Sequence, residues 1–369
     1  MPTVLESLNT ALHHALAVNE RVVILGEDIL DPYGGAFKVT RGVSTAYPNR
    51  VMTTPISEAG IVGVAAGMAL RGLRPVVEIM FGDFVTLIAD QVVNHIAKFR
   101  WMYNDQVRVP LVIRTPMGGR RGYGPTHSQT LEKLFLGVPG LRVLAPCGLQ
   151  VCKSASGQVA SGQAGKDAAD GAGALLTQAI LREDDPVLFI ENKLLYLLPV
   201  QNESTLTEFT LTAPSSPISP SHQLPNSPTP LPSRPPAYIL SLRGAPPPEL
   251  SIAAYGYMAE LAREAILKLA YEYEIFAELL VPTQLAPFDG QAILASVWRT
   301  RRLLVAEEGS LTLGWGAEVL ARAAEALGPN LQAARRVAAR EVPIPASGPL
   351  EAAVLPGVDE IVQTARKMV

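Results

Sequence analysis

Short apolar runs alternate with helical stretches from the amino terminus to residue 146, and no other feature of this chain constrains its fold as tightly. The runs at 21–25, 74–79, 109–114 and 141–145 are short and mostly apolar, which predicts buried strands. Helical spacing fills the gaps. Leu5, Leu8, Leu12 and Leu16 form one stripe behind Thr3 and Glu6, whose offset of three is that of a capping box. Residues 60–70 are small and apolar, 85–99 gather Leu87, Ile88, Val92, Ile96 and Phe99 near one face, and 130–135 suffice for a short helix. Strands alternating with helices make βαβ units, so the class is α/β with a mostly parallel sheet.

The same pattern resumes later. A strand at 186–191 completes a first domain expected over 1–200, and a smaller α/β domain is expected over 238–369. Between them, 201–237 reads as a linker, because 214–236 holds nine prolines among many serines. Residues 154–173, rich in Ala, Gly, Ser and Gln, read as a flexible insert before a helix at 174–181.

Chemistry-bearing residues collect where strands end, the edge at which open α/β sheets bind ligands. Glu27 follows the first strand, and Phe81, Asp83 and Phe84 follow the second. Thr54-Pro55-Ile56-Ser57-Glu58 resists helix before the proline and puts a lone acid at the start of an apolar helix. Glu58 has two readings: a first-turn acid favoured by the helix dipole, or an acid in a dry pocket that can donate a proton. The loop 115–129 holds four glycines and two prolines and delivers His127. His95 reads as a packed helix histidine and Glu307-Glu308 as a structural pair. Arg120-Arg121 is either a solvated pair or part of an entrance to the site.

Several classes are excluded. Net charge is -3 with no basic run, so no nucleic-acid partner is expected. No apolar run is long enough to span a bilayer, and the first residues lack a signal-peptide core, so no membrane is expected and the location is expected to be cytoplasmic. Cys147 and Cys152 fit no zinc or redox motif. There is no Gly-x-Ser-x-Gly elbow and no phosphate loop of the GxxxxGK[ST] type. One acid, one histidine, aromatic rings and glycine-rich strand ends suit a site in which a cofactor breaks the bond and the protein orients it.

These residues resemble a known family. Gly26-Glu27-Asp28, Gly34-Gly35-Ala36-Phe37-Lys38-Val39-Thr40-Arg41-Gly42, Thr54-Pro55-Ile56-Ser57-Glu58, Gly72-Leu73-Arg74-Pro75, His127-Ser128-Gln129, Pro139-Gly140-Leu141 and Val342-Pro343-Ile344-Pro345 occur in the order found in beta subunits of the thiamine-diphosphate-dependent decarboxylating component of 2-oxo acid dehydrogenase complexes. The resemblance implies a pyrimidine-binding module followed by a transketolase C-terminal-like domain. It implies oxidative decarboxylation of a 2-oxo acid, with pyruvate expected, a branched-chain acid as the alternative, and a non-catalytic scaffold as a third possibility. Glu58 would hydrogen-bond the aminopyrimidine ring, with Ile56 and Phe84 against that ring and Glu27 on the proton path. His127 would stand near the reacting carbon and serve acyl transfer to the lipoyl group of an acyltransferase component. Leu111, Ile180, Leu181, Glu183 and Asp185 fall on positions that hold a structural potassium ion in some members. The chain has no Gly-Asp-Gly, the motif that holds the diphosphate through Mg2+. In this family that motif lies on an alpha subunit, so a two-alpha two-beta heterotetramer with a shared cofactor is expected, and the small-residue helix 60–70 suits an interface there.

Overall fold

The computed structural model describes residues 1–151, 171–213 and 237–369. Nearly all of the expected insert, the proline-rich stretch 214–236 and Cys152 lie outside the described residues.

The first half runs α1 (Val4–Val18), β1 (Val22–Gly26), α2 (Val43–Ala46), β2 (Val51–Thr53), α3 (Glu58–Leu70), β3 (Arg74–Glu78), α4 (Ala97–Met102), β4 (Val112–Met117), β5 (Arg142–Leu144), α5 (Ala172–Arg182) and β6 (Val187–Asn192). The capping box forms: the Glu6 carboxylate accepts the Thr3 N–H at 2.8 Å and the Thr3 hydroxyl accepts the Glu6 N–H at 3.2 Å. The second half runs β7 (Phe209–Thr212), β8 (Ala237–Leu242), β9 (Leu250–Ala254), α6 (Tyr257–Tyr273), β10 (Ala277–Pro282), β11 (Gln284–Ala286), α7 (Gln291–Thr300), β12 (Arg302–Ser310), α8 (Trp315–Leu327), β13 (Ala333–Ala339), α9 (Gly348–Val354) and α10 (Val358–Arg366).

Two sheets result. The first has the order β11-β5-β6-β4-β3-β1-β2 and is parallel except at β11. Its central strands are buried on both faces because alternate residues feed two cores. Val23, Leu25 and Val77 pack on one side with α3, while Val22, Ile24 and Val76 pack on the other with α1 and α5. Fully burying each such side chain contributes about 1.5–3 kcal/mol. The second sheet, β13-β12-β9-β10-β8-β7, is parallel over its first four strands and antiparallel at β8 and β7.

Three expectations need correction. The segment 201–237 is not wholly a linker, since β7 lies in it and pairs with β8. Its Phe-Thr-Leu-Thr alternation buries Phe209 and Leu211 on one face. The expected helix over 85–99 is broken into a 3₁₀ turn (Gly82–Ile88), a π-helical turn (Gln91–Ile96) and α4. Val85, Thr86, Val92 and Val93 are β-branched and weaken helix preference, and the Thr86 hydroxyl takes the Asp83 carbonyl. His95 is exposed on this segment, ion-paired with Asp90 at 3.4 Å and edge-on to Phe99.

Candidate active site

The strand order reverses beside β1. The chain leaves β1 for β2 on one flank, then returns past it to β3 on the other. Such a reversal opens a crevice at the carboxyl ends of the two strands. Gly26 ends β1 against β3, where an added Cβ would stand 3.0 Å from the Glu78 carbonyl. Glu27 comes next. From β2, Thr54 donates its N–H to the Gly26 carbonyl at 3.1 Å, and Pro55 keeps the chain out of helix before Ser57, which stands at the N-cap position of α3 without a side-chain capping bond. Glu58 is therefore the first residue of α3, where the helix dipole favours a negative charge.

Both acids are buried, each 8% exposed. Burial pushes the Glu27 carboxyl above the usual range and the Glu58 charge adds to this, while the Ser57 N–H works the other way. Glu27 Oε1 is buried without a hydrogen-bond partner. Ile56, just before the acid, is 85% exposed. A buried acceptor with no donor, near a second acid and an uncovered apolar side chain, suits a ligand that donates hydrogen bonds and offers apolar surface.

An aromatic group stands past the end of β3, the strand next to β1. The Phe81 ring lies 4.6 Å from the His127 ring and 5.8 Å from Phe84, and Phe84 lies 5.4 Å from His127, all edge to face. Phe37, on the loop after Glu27, reaches Phe81 at 5.6 Å. Thr126 Oγ1 stands 3.0 Å from His127 Nδ1. The loop is pinned behind the ring, where Gln129 donates to Asp83 at 2.9 Å and Lys193 donates to the His127 carbonyl. Lys193 is buried, with its ammonium over the Phe81 and Tyr123 rings, and burial lowers its pKa to about 8. The structure thus joins Glu27 with Glu58, and Phe84 with His127.

Beneath these residues lies an ion cluster that sequence reasoning missed. Arg114 donates to both Glu191 oxygens at 2.7 Å and to Glu78 at 2.8 Å, and the Tyr196 hydroxyl donates to Glu191 at 2.6 Å. Burial works against the Arg114 charge, but Glu191 and Glu78 together hold its pKa above the ordinary value. Lys193 was missed as well. Its place directly after the strand at 186–191 was the available clue.

Four of the five expected potassium positions already have hydrogen-bond or ion-pair partners. The Ile180 carbonyl accepts Arg74 Nε at 2.6 Å, and the Glu183 carbonyl accepts another nitrogen of the same guanidinium. The Glu183 carboxylate pairs with Arg142, and both Asp185 oxygens accept from Arg100 at 2.9 Å. The Leu111 carbonyl accepts the Val187 N–H. Arg74, Arg100 and Arg142 pair there with Asp184, Asp185 and Glu183, so those carboxylates already have their counter-charges.

Residues 1–161 match the model of the transketolase pyrimidine-binding domain, and 243–361 that of the transketolase C-terminal domain. The chain is 33% identical to "Pyruvate dehydrogenase E1 component subunit beta-1, mitochondrial" of Arabidopsis thaliana, covering 99% of this chain and 88% of that one. It is 33% identical to "2-oxoisovalerate dehydrogenase subunit beta" of Pseudomonas aeruginosa, covering 93% and 88%. It is 32% identical to "Acetoin:2,6-dichlorophenolindophenol oxidoreductase subunit beta" of Cupriavidus necator, covering 98% and 95%. A solved "Split gene transketolase, inactive beta4 tetramer" shares the fold, with a TM-score of 0.65 at 19% identity over 100% of this chain and 98% of that chain.

Proposed function

This chain belongs to the transketolase-like beta subunits of 2-oxo acid dehydrogenases, a family with pyruvate, branched-chain and acetoin types, and on that premise we propose that it forms half of a decarboxylating enzyme acting on pyruvate. The observation that carries the reading is the pair Glu27 and Glu58, buried side by side at the reversal in strand order with one carboxyl oxygen left without a donor.

Thiamine diphosphate, when bound, supplies the electron sink for the bond to the departing carboxyl group. The chain's own residues hold and prepare the site. Glu58 fixes the ring that carries donors and exchanges a proton with it. Glu27, whose charged form burial disfavours, stands beside Glu58 on the proton path. Ile56 and Phe84 offer apolar surface to the same ring. His127 presents an imidazole to the substrate side and steadies charge there, and it serves transfer of the acyl group to a lipoyl arm. The diphosphate and its Mg2+ fall to an alpha subunit, because this sequence has no Gly-Asp-Gly. One face of α3 suits that partner: Gly63 and Gly67 have open space where a Cβ would stand, and Val64 is exposed. A two-alpha two-beta assembly follows as part of the proposal.

Co-expression with an alpha-type chain carrying Gly-Asp-Gly tests this. Purified complex is expected to decarboxylate pyruvate with an artificial electron acceptor, faster than it does branched 2-oxo acids. A preference for branched acids would reassign the substrate. No turnover of any 2-oxo acid despite bound cofactor would leave a scaffold subunit.

A further inference from the structure

The loop that carries His127 leaves β4 at Met117 and reaches the 3₁₀ turn Glu132–Leu134, and much of what holds it comes from the second half of the chain. Glu308, near the end of β12, accepts the Gly119 N–H at 2.6 Å with one oxygen and Asn192 Nδ2 at 3.2 Å with the other. Glu351, in α9, uses both oxygens, one for the Arg120 N–H at 2.7 Å and one for the Gly122 N–H at 3.1 Å. The Arg120 guanidinium donates to the Pro356 carbonyl. Both carboxylates are buried, Glu308 at 5% and Glu351 at 4% exposure.

The loop needs this support. Gly118, Arg120, Gly122 and Gly124 have φ of 99°, 65°, 68° and 74°, so the left-handed region recurs at every second residue. For Arg120 that conformation is unfavourable by itself. The packing is close as well: a Cβ on Gly119 would meet the Leu355 side chain at 2.6 Å, and one on Gly122 the Ala346 carbonyl at 3.1 Å. Backbone N–H groups that point outward along such a path need acceptors, and two carboxylates supply them.

We propose that Glu308 and Glu351 are positioning residues for His127. By accepting the N–H groups of Gly119, Arg120 and Gly122 they set the course of the loop and so the place of the imidazole. The proposal rests on the functional reading above only in giving His127 a part in the reaction.

The test compares wild type with Glu351→Gln and Glu308→Gln. Glutamine keeps the shape but offers one acceptor oxygen, so Glu351→Gln strands one of two N–H groups. Arg121 is exposed in the loop, and tryptic cleavage after it requires local opening. In the full chain carrying Glu351→Gln, cleavage is expected to accelerate by about tenfold or more. Modification of His127 by diethyl pyrocarbonate, followed by mass spectrometry, is expected to change rate in the same variant. In the complex with the alpha chain, kcat is expected to fall while KM and the thermal midpoint stay close to wild type. Unaltered cleavage and unaltered His127 modification in folded Glu351→Gln would overturn the proposal. So would faster cleavage with undiminished kcat, because the carboxylate would then fasten the loop without placing the ring. If the wild-type complex turns over no 2-oxo acid, the functional reading fails, and cleavage and His127 modification still decide whether the carboxylates hold the loop and the ring. Should Glu308→Gln not fold, Glu351→Gln decides alone.

Discussion

Glu78 and Glu191 stand at the ends of β3 and β6, and Glu27 and Glu58 stand just past the ends of β1 and β2, so four carboxyls share one edge of one sheet. All four are buried, at 8%, 1%, 8% and 8% exposure. Their surroundings differ. The first pair closes on Arg114, which contacts three of the four oxygens, and Tyr196 adds a further donor. The second pair has Ser57 N–H for Glu27, and Glu27 Oε1 has nothing. A buried acid with its counter-charge in place is architecture. A buried acid left short of donors costs free energy, and a fold retains it where something else is to bind.

Changing single residues can break or sharpen that contrast. Arg114→Met should have the largest effect on stability, because it leaves Glu78 and Glu191 buried and unpaired. A loss of about 3–5 kcal/mol is expected from urea unfolding. Glu58→Gln should do the reverse. Its unfolding free energy is expected within about 1 kcal/mol of wild type, while decarboxylation by the reconstituted complex falls by about 10²–10⁴-fold. If Glu58→Gln instead unfolds the chain with activity per folded molecule intact, the two pairs are of one kind.

Glu27→Gln probes the same contrast through pH. A carboxyl whose pKa is raised on folding binds more protons folded than unfolded between its ordinary and its raised value. Glu27 therefore subtracts stability as pH climbs from about 4.5 through that window, and the subtraction persists above it. The thermal midpoint of Glu27→Gln should equal that of wild type at about pH 4 and exceed it at neutral pH. A constant offset at all pH values would show that the Glu27 charge is not what costs stability. The smallest effect concerns the turn that joins α5 to β6. Arg74, Arg100 and Arg142 bond to Ile180, Asp185 and Glu183, three of the expected potassium positions. Thermal midpoints in potassium and choline chloride of equal ionic strength should agree within about 1 °C. A potassium-dependent rise would restore the ion.

The sequence showed much of this edge and little of what lies under it. Periodicity placed most strands, and Thr54-Pro55 fixed where α3 begins, because each depends on neighbours along the chain. Glu58 stood out as a lone acid before an apolar helix. Arg114 did not stand out, because its partners lie 36 and 77 positions away and only the sheet brings them together. The hold of Glu308 and Glu351 on the His127 loop was hidden for the same reason, with partners 189 and 231 positions away. At the expected potassium positions, the resemblance did not reveal that arginines from three other segments reach the same carbonyls and carboxylates. β7 was lost among the prolines and serines around it.

One short strand has a wider consequence. β11 belongs by sequence to the second half, yet it pairs antiparallel with β5 and forms the outer margin of the first sheet. A gene fragment stopping at residue 213 would leave that margin bare. Unsatisfied backbone groups along β5 would then invite pairing between molecules, so such a fragment should precipitate or self-associate where the full chain stays dispersed. The first half is thus finished by a strand of the second, and it is not a module that could be lifted out and traded on its own.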